Sequence, residues 1–93
     1  MTVEHVSGKH VGHIMLYALS TCVWCKKTKR LLNDLGIEYY YVDVDLLSGE
    51  ERAEAMRIVE RWNPSGSFPI LVVNNKSSIL GFNERQIREV VRL

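Results

Sequence analysis

Cys22 and Cys25 are the chain's two cysteines, and they stand two residues apart in Ser20-Thr21-Cys22-Val23-Trp24-Cys25. Disulfide exchange needs a thiolate that can reach a partner's disulfide and a second thiol close enough to resolve the mixed disulfide. A Cys-x-x-Cys at the start of a helix supplies both. Unpaired N–H groups and the helix dipole stabilise negative charge at the first sulfur, and the second lies one turn further in on the same face. A free thiol with a pKa near 8.5 is mostly protonated at neutral pH, whereas helix starts of this kind lower it to about 7 or less. Cys22 is therefore read as the nucleophile and Cys25 as the resolving thiol. The reversible Cys22–Cys25 disulfide is then the redox group, and no separate cofactor is called for. By itself the pair also fits half a zinc site or two buried thiols. Zinc needs two more ligands, and the histidines, His5, His10 and His13, fall in or beside the N-terminal stretch and not in a second paired knuckle. No metal site is assigned.

The elements that must present the two thiols follow from the pattern around them. His13 to Leu19 is a short apolar run suited to a buried strand, and Ser20 and Thr21 are residues that cap a following helix. From Val23 to Leu35 the apolar Leu31, Leu32 and Leu35 share one face, Lys26, Lys27, Lys29 and Arg30 are expected on a solvated one, and Gly36 closes the helix. Tyr39 to Val44 reads as a second strand, ended by Asp43 and Asp45, and should run parallel to the first. Ser48 to Trp62 has acids at its start and Ala55, Met56, Ile58, Val59 and Trp62 at helical spacing. After the turn-forming NPSGS come two strands, Phe68 to Asn74 and Ser77 to Leu80, joined as a hairpin at Asn74-Asn75. Glu84 to Leu93 makes a last helix with Ile87, Val90 and Val91 inward. The order βαβαββα describes an α/β domain, a four-stranded mixed sheet flanked by three helices. Residues 1–12 have little periodicity and are expected to form a flexible extension to a domain spanning 13–93.

The totals set bounds. Ninety-three residues, 46% apolar and 25% charged, suit one ordinary globular domain. With 12 Lys plus Arg against 11 Asp plus Glu, nothing draws the chain generally to nucleic acid or membranes. The polar, glycine-broken opening MTVEHVSGKHVG lacks the apolar core of a secretory signal, and no run approaches the roughly 20 apolar residues of a membrane span. A cytoplasmic monomer is expected, in a compartment that keeps ordinary thiols reduced.

Three stretches, YALSTCVWCKKTKRLLNDLGIEYYYVDVD, SFPILVVNN and LGFNERQI, resemble the glutaredoxin family, and within it the NrdH-type redoxins and their archaeal relatives. The resemblance covers about His13 to Leu93. It implies a thioredoxin-like fold, attack by Cys22, resolution by Cys25, and a cis proline, Pro69, facing them. Ser67-Phe68-Pro69 stands where most glutaredoxins have Thr-Val-Pro. There a cis bond turns the Phe68 backbone toward the disulfide, so that an incoming chain can pair with it as an added strand. Trp24, Ser67, Phe68, Pro69, Gly81 and Phe82 are the implied substrate contacts. Glutathione-using members usually carry a lysine three residues before the first cysteine, a Gly-Gly pair and a following aspartate. Here those positions hold Leu19, Leu80 with Gly81, and Asn83. The resemblance thus implies a dithiol oxidoreductase fed by a protein disulfide reductase, either a thioredoxin reductase or a ferredoxin-dependent one, and serving ribonucleotide reductase or other disulfide proteins. The alternatives are a glutathione-dependent glutaredoxin and a non-catalytic module carrying an iron–sulfur cluster or zinc on Cys22.

Overall fold

The computed structural model describes residues 1–92. Strand β1 (Glu4–Val6) is followed by β2 (Ile14–Ala18), helix α1 (Val23–Asp34), β3 (Tyr39–Asp43), a 3₁₀ turn (Val44–Leu46), α2 (Gly49–Trp62), β4 (Ile70–Val73), β5 (Ser77–Leu80) and α3 (Glu84–Val91). Leu93, with which the sequence ends the last helix, lies outside the described residues.

All five residues of β2 are buried, as befits a central strand covered on both faces. It pairs in parallel with β3, Met15 opposite Tyr40 through Ala18 opposite Asp43, and α1 supplies the long crossover that a parallel pair requires. On its other side β2 pairs antiparallel with β4, Ile14 opposite Val73 through Tyr17 opposite Ile70. The β4–β5 hairpin turns at Asn74 and Asn75, both at positive φ (53° and 55°), the conformation for which tight hairpins select asparagine. The two-residue period of the strands sorts the core into two clusters. Ile14, Leu16, Ala18, Leu71 and Val73 meet Leu31, Leu32, Ile87 and Val91 of α1 and α3. Met15, Tyr17, Val42, Ile70 and Val72 meet Ala55 and Val59 of α2. The molecule is thus three layers, with α1 and α3 on one face of the sheet and α2 on the other.

The sheet has five strands and not the four expected, in the order β1-β3-β2-β4-β5. The fifth comes from residues 1–12. β1 lies antiparallel on β3, with Glu4, His5 and Val6 opposite Tyr41, Tyr40 and Tyr39. The chain then hooks back, Lys9 N–H donating to the Gly36 carbonyl at 2.8 Å and Glu38 N–H to the Lys9 carbonyl at 2.9 Å. A Cβ on Gly8 would lie 2.4 Å from the Ile37 carbonyl carbon, so this close approach requires glycine. His5 Nε2 and His10 Nδ1 engage the two oxygens of Glu38, at 2.8 and 3.0 Å. A three-residue strand carries too little periodicity to be read in advance; its stability comes from the partner edge.

Candidate active site

Every strand end near the cysteines points to one end of the sheet. β2 delivers its chain there after Ala18, beside Asp43 at the end of β3. The antiparallel register of Tyr17 with Ile70 brings Pro69 and Phe68 to the same end. That of Ile70 with Leu80 does the same for Gly81 and Phe82. Gly81, at φ +76°, donates its N–H to the Pro69 carbonyl at 2.8 Å, tying the third stretch to the second. The Phe68–Pro69 bond is cis, as the resemblance implied.

The helix begins one residue later than the capping reading suggests. Neither Ser20 nor Thr21 is the cap; Cys22 is, with extended backbone angles of φ −83° and ψ 122° and its own sulfur accepting from Cys25 N–H at 3.2 Å. Ser20 is unavailable as a cap because its hydroxyl donates to Asp45 Oδ2 while its N–H donates to Asp45 Oδ1 at 2.8 Å. These two bonds, Ser20 N–H first after the hydroxyl, hold the Asp45 carboxyl below its ordinary range. Both cysteines are free thiols, Cys22 half-buried and Cys25 fully buried. Burial, followed by the hydrogen bond to the Cys22 side chain, pushes the Cys25 thiol up to about 12. The Leu19 N–H, 3.5 Å from Cys25 Sγ, works in the opposite direction. Such a pair has one accessible sulfur and one enclosed sulfur in contact with it, which is the division of labour that exchange and resolution need.

Trp24 is 54% exposed. Its ring stacks on Phe82 with centroids 5.9 Å apart, and Lys27 Nζ sits 4.6 Å from its centroid. Val23, its neighbour in the chain, and Leu80, at the same end of the sheet opposite Ile70, are also exposed. Trp62, by contrast, is half-buried against the α2 cluster. The lysine run is not wholly a solvated face: Lys29 is mostly covered, 2.9 Å from Asp43 Oδ1 and 4.3 Å from the Tyr41 ring centroid. Two concavities, of about 570 Å³ beside Lys9 and α3 and about 340 Å³ beside Thr2 and Glu51, include neither cysteine. Among the described residues no group of three or more His, Cys, Asp and Glu is placed to hold a metal ion, and no helix is long and apolar enough to cross a membrane.

The glutaredoxin family model matches residues 14–78, from the first residue of β2 into β5. The chain belongs to the glutaredoxin family. Glutaredoxins are thiol–disulfide oxidoreductases, and the Cys22–Cys25 pair gives this one the same chemistry. It is 31% identical over 78 residues to a glutaredoxin-like 8.6 kDa protein of the rubredoxin operon of Clostridium pasteurianum, covering 84% of this chain and 96% of that one. Among solved structures, the glutaredoxin of Methanosarcina mazei superposes with a TM-score of 0.91 at 52% identity, over 98% of this chain and 88% of that one. Methanoredoxin of Methanosarcina acetivorans does so with a TM-score of 0.89 at 53% identity, over 92% and 90%. The fold of this glutaredoxin is therefore the thioredoxin-like one, with three helices on a mixed sheet.

Two residues that hold this site escaped the sequence. Asn63, 5% exposed, donates from Nδ2 to the Ser67 carbonyl and hydroxyl at 3.2 and 2.9 Å, and its Oδ1 accepts from the Ser65 hydroxyl at 2.7 Å. It ties off the loop that leads into Phe68-Pro69, and so takes up the Ser67 hydroxyl. Within NPSGS it reads only as a turn former. Asp45 reads as a strand terminator, and its partner lies 25 residues away.

Proposed function

We propose that this glutaredoxin is a cytoplasmic, monomeric dithiol electron carrier of the NrdH type. A protein disulfide reductase, thioredoxin reductase or a ferredoxin-dependent enzyme, reduces it, and it reduces protein disulfides such as that of ribonucleotide reductase. The observation that carries this reading is the absence of charge where glutathione-using members place it. Leu19 stands at the lysine position, Leu80 is half exposed in place of the first glycine, and the Asn83 side chain is spent accepting the Gln86 N–H at 3.0 Å as the cap of α3. Two charge-assisted bonds, each worth about 1.5 to 3 kcal/mol when well formed, are missing. Exposed Val23, Trp24 and Leu80 offer apolar area instead, which suits a macromolecular partner better than a tripeptide.

In the reaction the Cys22 thiolate attacks one sulfur of the partner's disulfide, forming a mixed disulfide and releasing the other sulfur as a thiolate that takes up a proton. Cys25 then gives its proton to solvent and attacks Cys22 Sγ. The Cys22–Cys25 bond forms, the partner leaves as a dithiol, and two electrons have passed to it. Two electrons and two protons from the reductase restore the free thiols. Trp24, Phe68, Pro69, Gly81 and Phe82 frame the approach to Cys22, with Phe68 offering its backbone to the partner's chain. No cofactor beyond the dithiol takes part.

The test offers the oxidised protein glutathione, a thioredoxin reductase system and a ferredoxin-linked system in turn. A protein reductase is expected to be preferred. Leu19→Lys with Asn83→Asp should raise glutathione turnover at least about tenfold, about 1.4 kcal/mol in the barrier, and leave α3 capped, because aspartate caps as well as asparagine. Wild-type turnover of glutathione mixed disulfides at the rate of the double variant would make the protein a glutathione-dependent glutaredoxin.

A further inference from the structure

The larger of the two concavities, of about 570 Å³, has the size of a small-molecule site and lies far from the thiols. Its wall includes Leu35, the C-cap of α1, whereas Cys22 caps the other end of that helix, about 18 Å away along the helix axis. Three segments build it: the N-terminal hook, the end of α1 with the residues leading into β3, and α3. The floor is apolar. Ile37 and Val91 are buried in it, but Val11 and Leu35 pack on the core cluster and stay only half-buried, so they present hydrocarbon to whatever enters. The rim is cationic. Arg85 and Arg88, three positions apart, share a face of α3, Arg92 follows at its C-cap, and Lys9 comes from the hook, where its N–H and carbonyl are both held. Against these four cations the wall has one acid, Glu89, although the whole chain nets only +1; the rest of the molecule is therefore net acidic, and the positive charge is concentrated here. Arg85 meets Glu89 and Arg88 meets Glu84 through Nε, at 3.4 and 2.8 Å. The C-terminal ends of α1 and α3 together add about one negative charge. With all of these counted, an excess of about one positive charge remains over an apolar floor, which one carboxylate on a hydrocarbon chain would match.

We propose that this cavity binds a free, water-dissolved acyl carboxylate, its chain against Val11 and Leu35 and its head among Lys9, Arg88 and Arg92. A neutral apolar molecule of the same length leaves the cations unmatched, and a small anion leaves the floor in water. The two terms recognise different parts of one ligand: burial of the chain contributes through each methylene it removes from water, and the carboxylate contributes charge-assisted hydrogen bonds to lysine or arginine. Binding is non-covalent and takes place at the end of α1 opposite Cys22, so it stands or falls independently of the roles of the two cysteines.

The test titrates octanoate, below its micellar range, into the ¹⁵N-labelled reduced chain and follows backbone amide shifts. Saturable shifts are expected at Val11, Ile37 and Val91. Octan-1-ol, which keeps the chain and lacks the charge, and acetate, which keeps the charge and lacks the chain, should each bind at least about tenfold more weakly. Lys9→Glu combined with Arg92→Glu, both at exposed positions, should weaken octanoate at least about tenfold and leave octan-1-ol within about twofold of wild type. Lys9→Arg combined with Arg92→Lys keeps the charges and should hold octanoate within about twofold, which carries the comparison if the charge-reversed protein does not fold. Equal affinity for octanoate and octan-1-ol, undiminished octanoate binding in the charge-reversed protein, or shifts centred on Trp24 and Leu80 would overturn the proposal. So would shifts at the same three amides that grow with protein concentration alone, which would give the cavity to a second copy of the chain. Sedimentation of the wild type, but not of the charge-reversed protein, with phosphatidylglycerol vesicles would give it to a lipid surface and equally end the assignment to a free carboxylate.

Discussion

Alkylation of the native dithiol protein should modify Cys25 far more slowly than an ordinary cysteine, and the structure fixes by how much. Its side chain is 0% exposed, and burial together with the Cys22 sulfur raises its thiol to about 12. At about pH 8 such a thiol is ionised in about one molecule in ten thousand, against about one in four for free cysteine with a pKa near 8.5. Since alkylation proceeds through the thiolate, Cys25 should react about three orders of magnitude more slowly than free cysteine, before any allowance for access. Iodoacetamide added to the reduced protein at about pH 8, with aliquots quenched and the tryptic peptide fragmented to locate the label, measures this directly. Cys22 should carry the early label. In guanidinium chloride, where the burial is gone, Cys25 should react like free cysteine. Labelling of native Cys25 within about tenfold of its denatured rate would refute the argument, because neither its enclosure nor its contact with Cys22 would then be governing its ionisation.

The same group couples ionisation to stability. Cys25 and Tyr39 are both held neutral in the folded state, each with a pKa raised to about 12, Tyr39 by burial first and by its neighbour Tyr41 second. For acids raised on folding, the stabilising contribution is complete below their ordinary values of 9.0 and 10.0 and is lost as pH climbs toward about 12. Urea unfolding followed between about pH 8 and 12 should therefore show stability falling by several kcal/mol, and a flat profile over that window would contradict the assignment. At the acid end, Glu38 is held below the ordinary carboxylate range by its hydrogen bonds to His10 and then His5. Its contribution to docking of the N-terminal hook persists above that range and disappears as pH falls through the lowered value. Glu38→Gln at neutral pH, or the wild type in acid, should speed exchange of the Lys9 amide, which donates to Gly36, and leave the amides of β2 unchanged. Equal Lys9 protection in all three samples would show that the carboxylate does not hold the hook.

Much of this was legible in the sequence, and for definite reasons. β2, α1, α2 and the hairpin carry strong periodicity or strong turn residues, and the cysteine pair falls at a strand-to-helix junction that has few other uses. Where sequence fell short, a contact distant in the chain had overridden a local preference. Ser20 is a better helix cap than cysteine by propensity, yet Asp45 claims both its donors, and the cap passes to Cys22. Lys29 belongs to a run of cations that look solvated, but the parallel strand beside β2 brings Asp43 within reach of it. Asn63 looks like turn punctuation because nothing in NPSGS says that its amide will be buried with all its partners inside the loop. β1 has three residues and no pattern of its own, and it exists because β3 would otherwise have an open edge.

That edge matters beyond the fold of one molecule. Tyr39-Tyr40-Tyr41-Val42 is an uncharged run of strand-forming residues, the composition that stacks between chains when its N–H and C=O groups are left unpaired. β1 lies along it with Glu4 and His5, so the side of the sheet facing neighbouring proteins presents a charged, short and strongly hooked strand in place of three tyrosines. A tag or fusion inserted between Gly8 and His13 would have to pass through the hook, and its cost would appear as self-association in concentrated solution while the dithiol chemistry at the far end of the strands continued undisturbed.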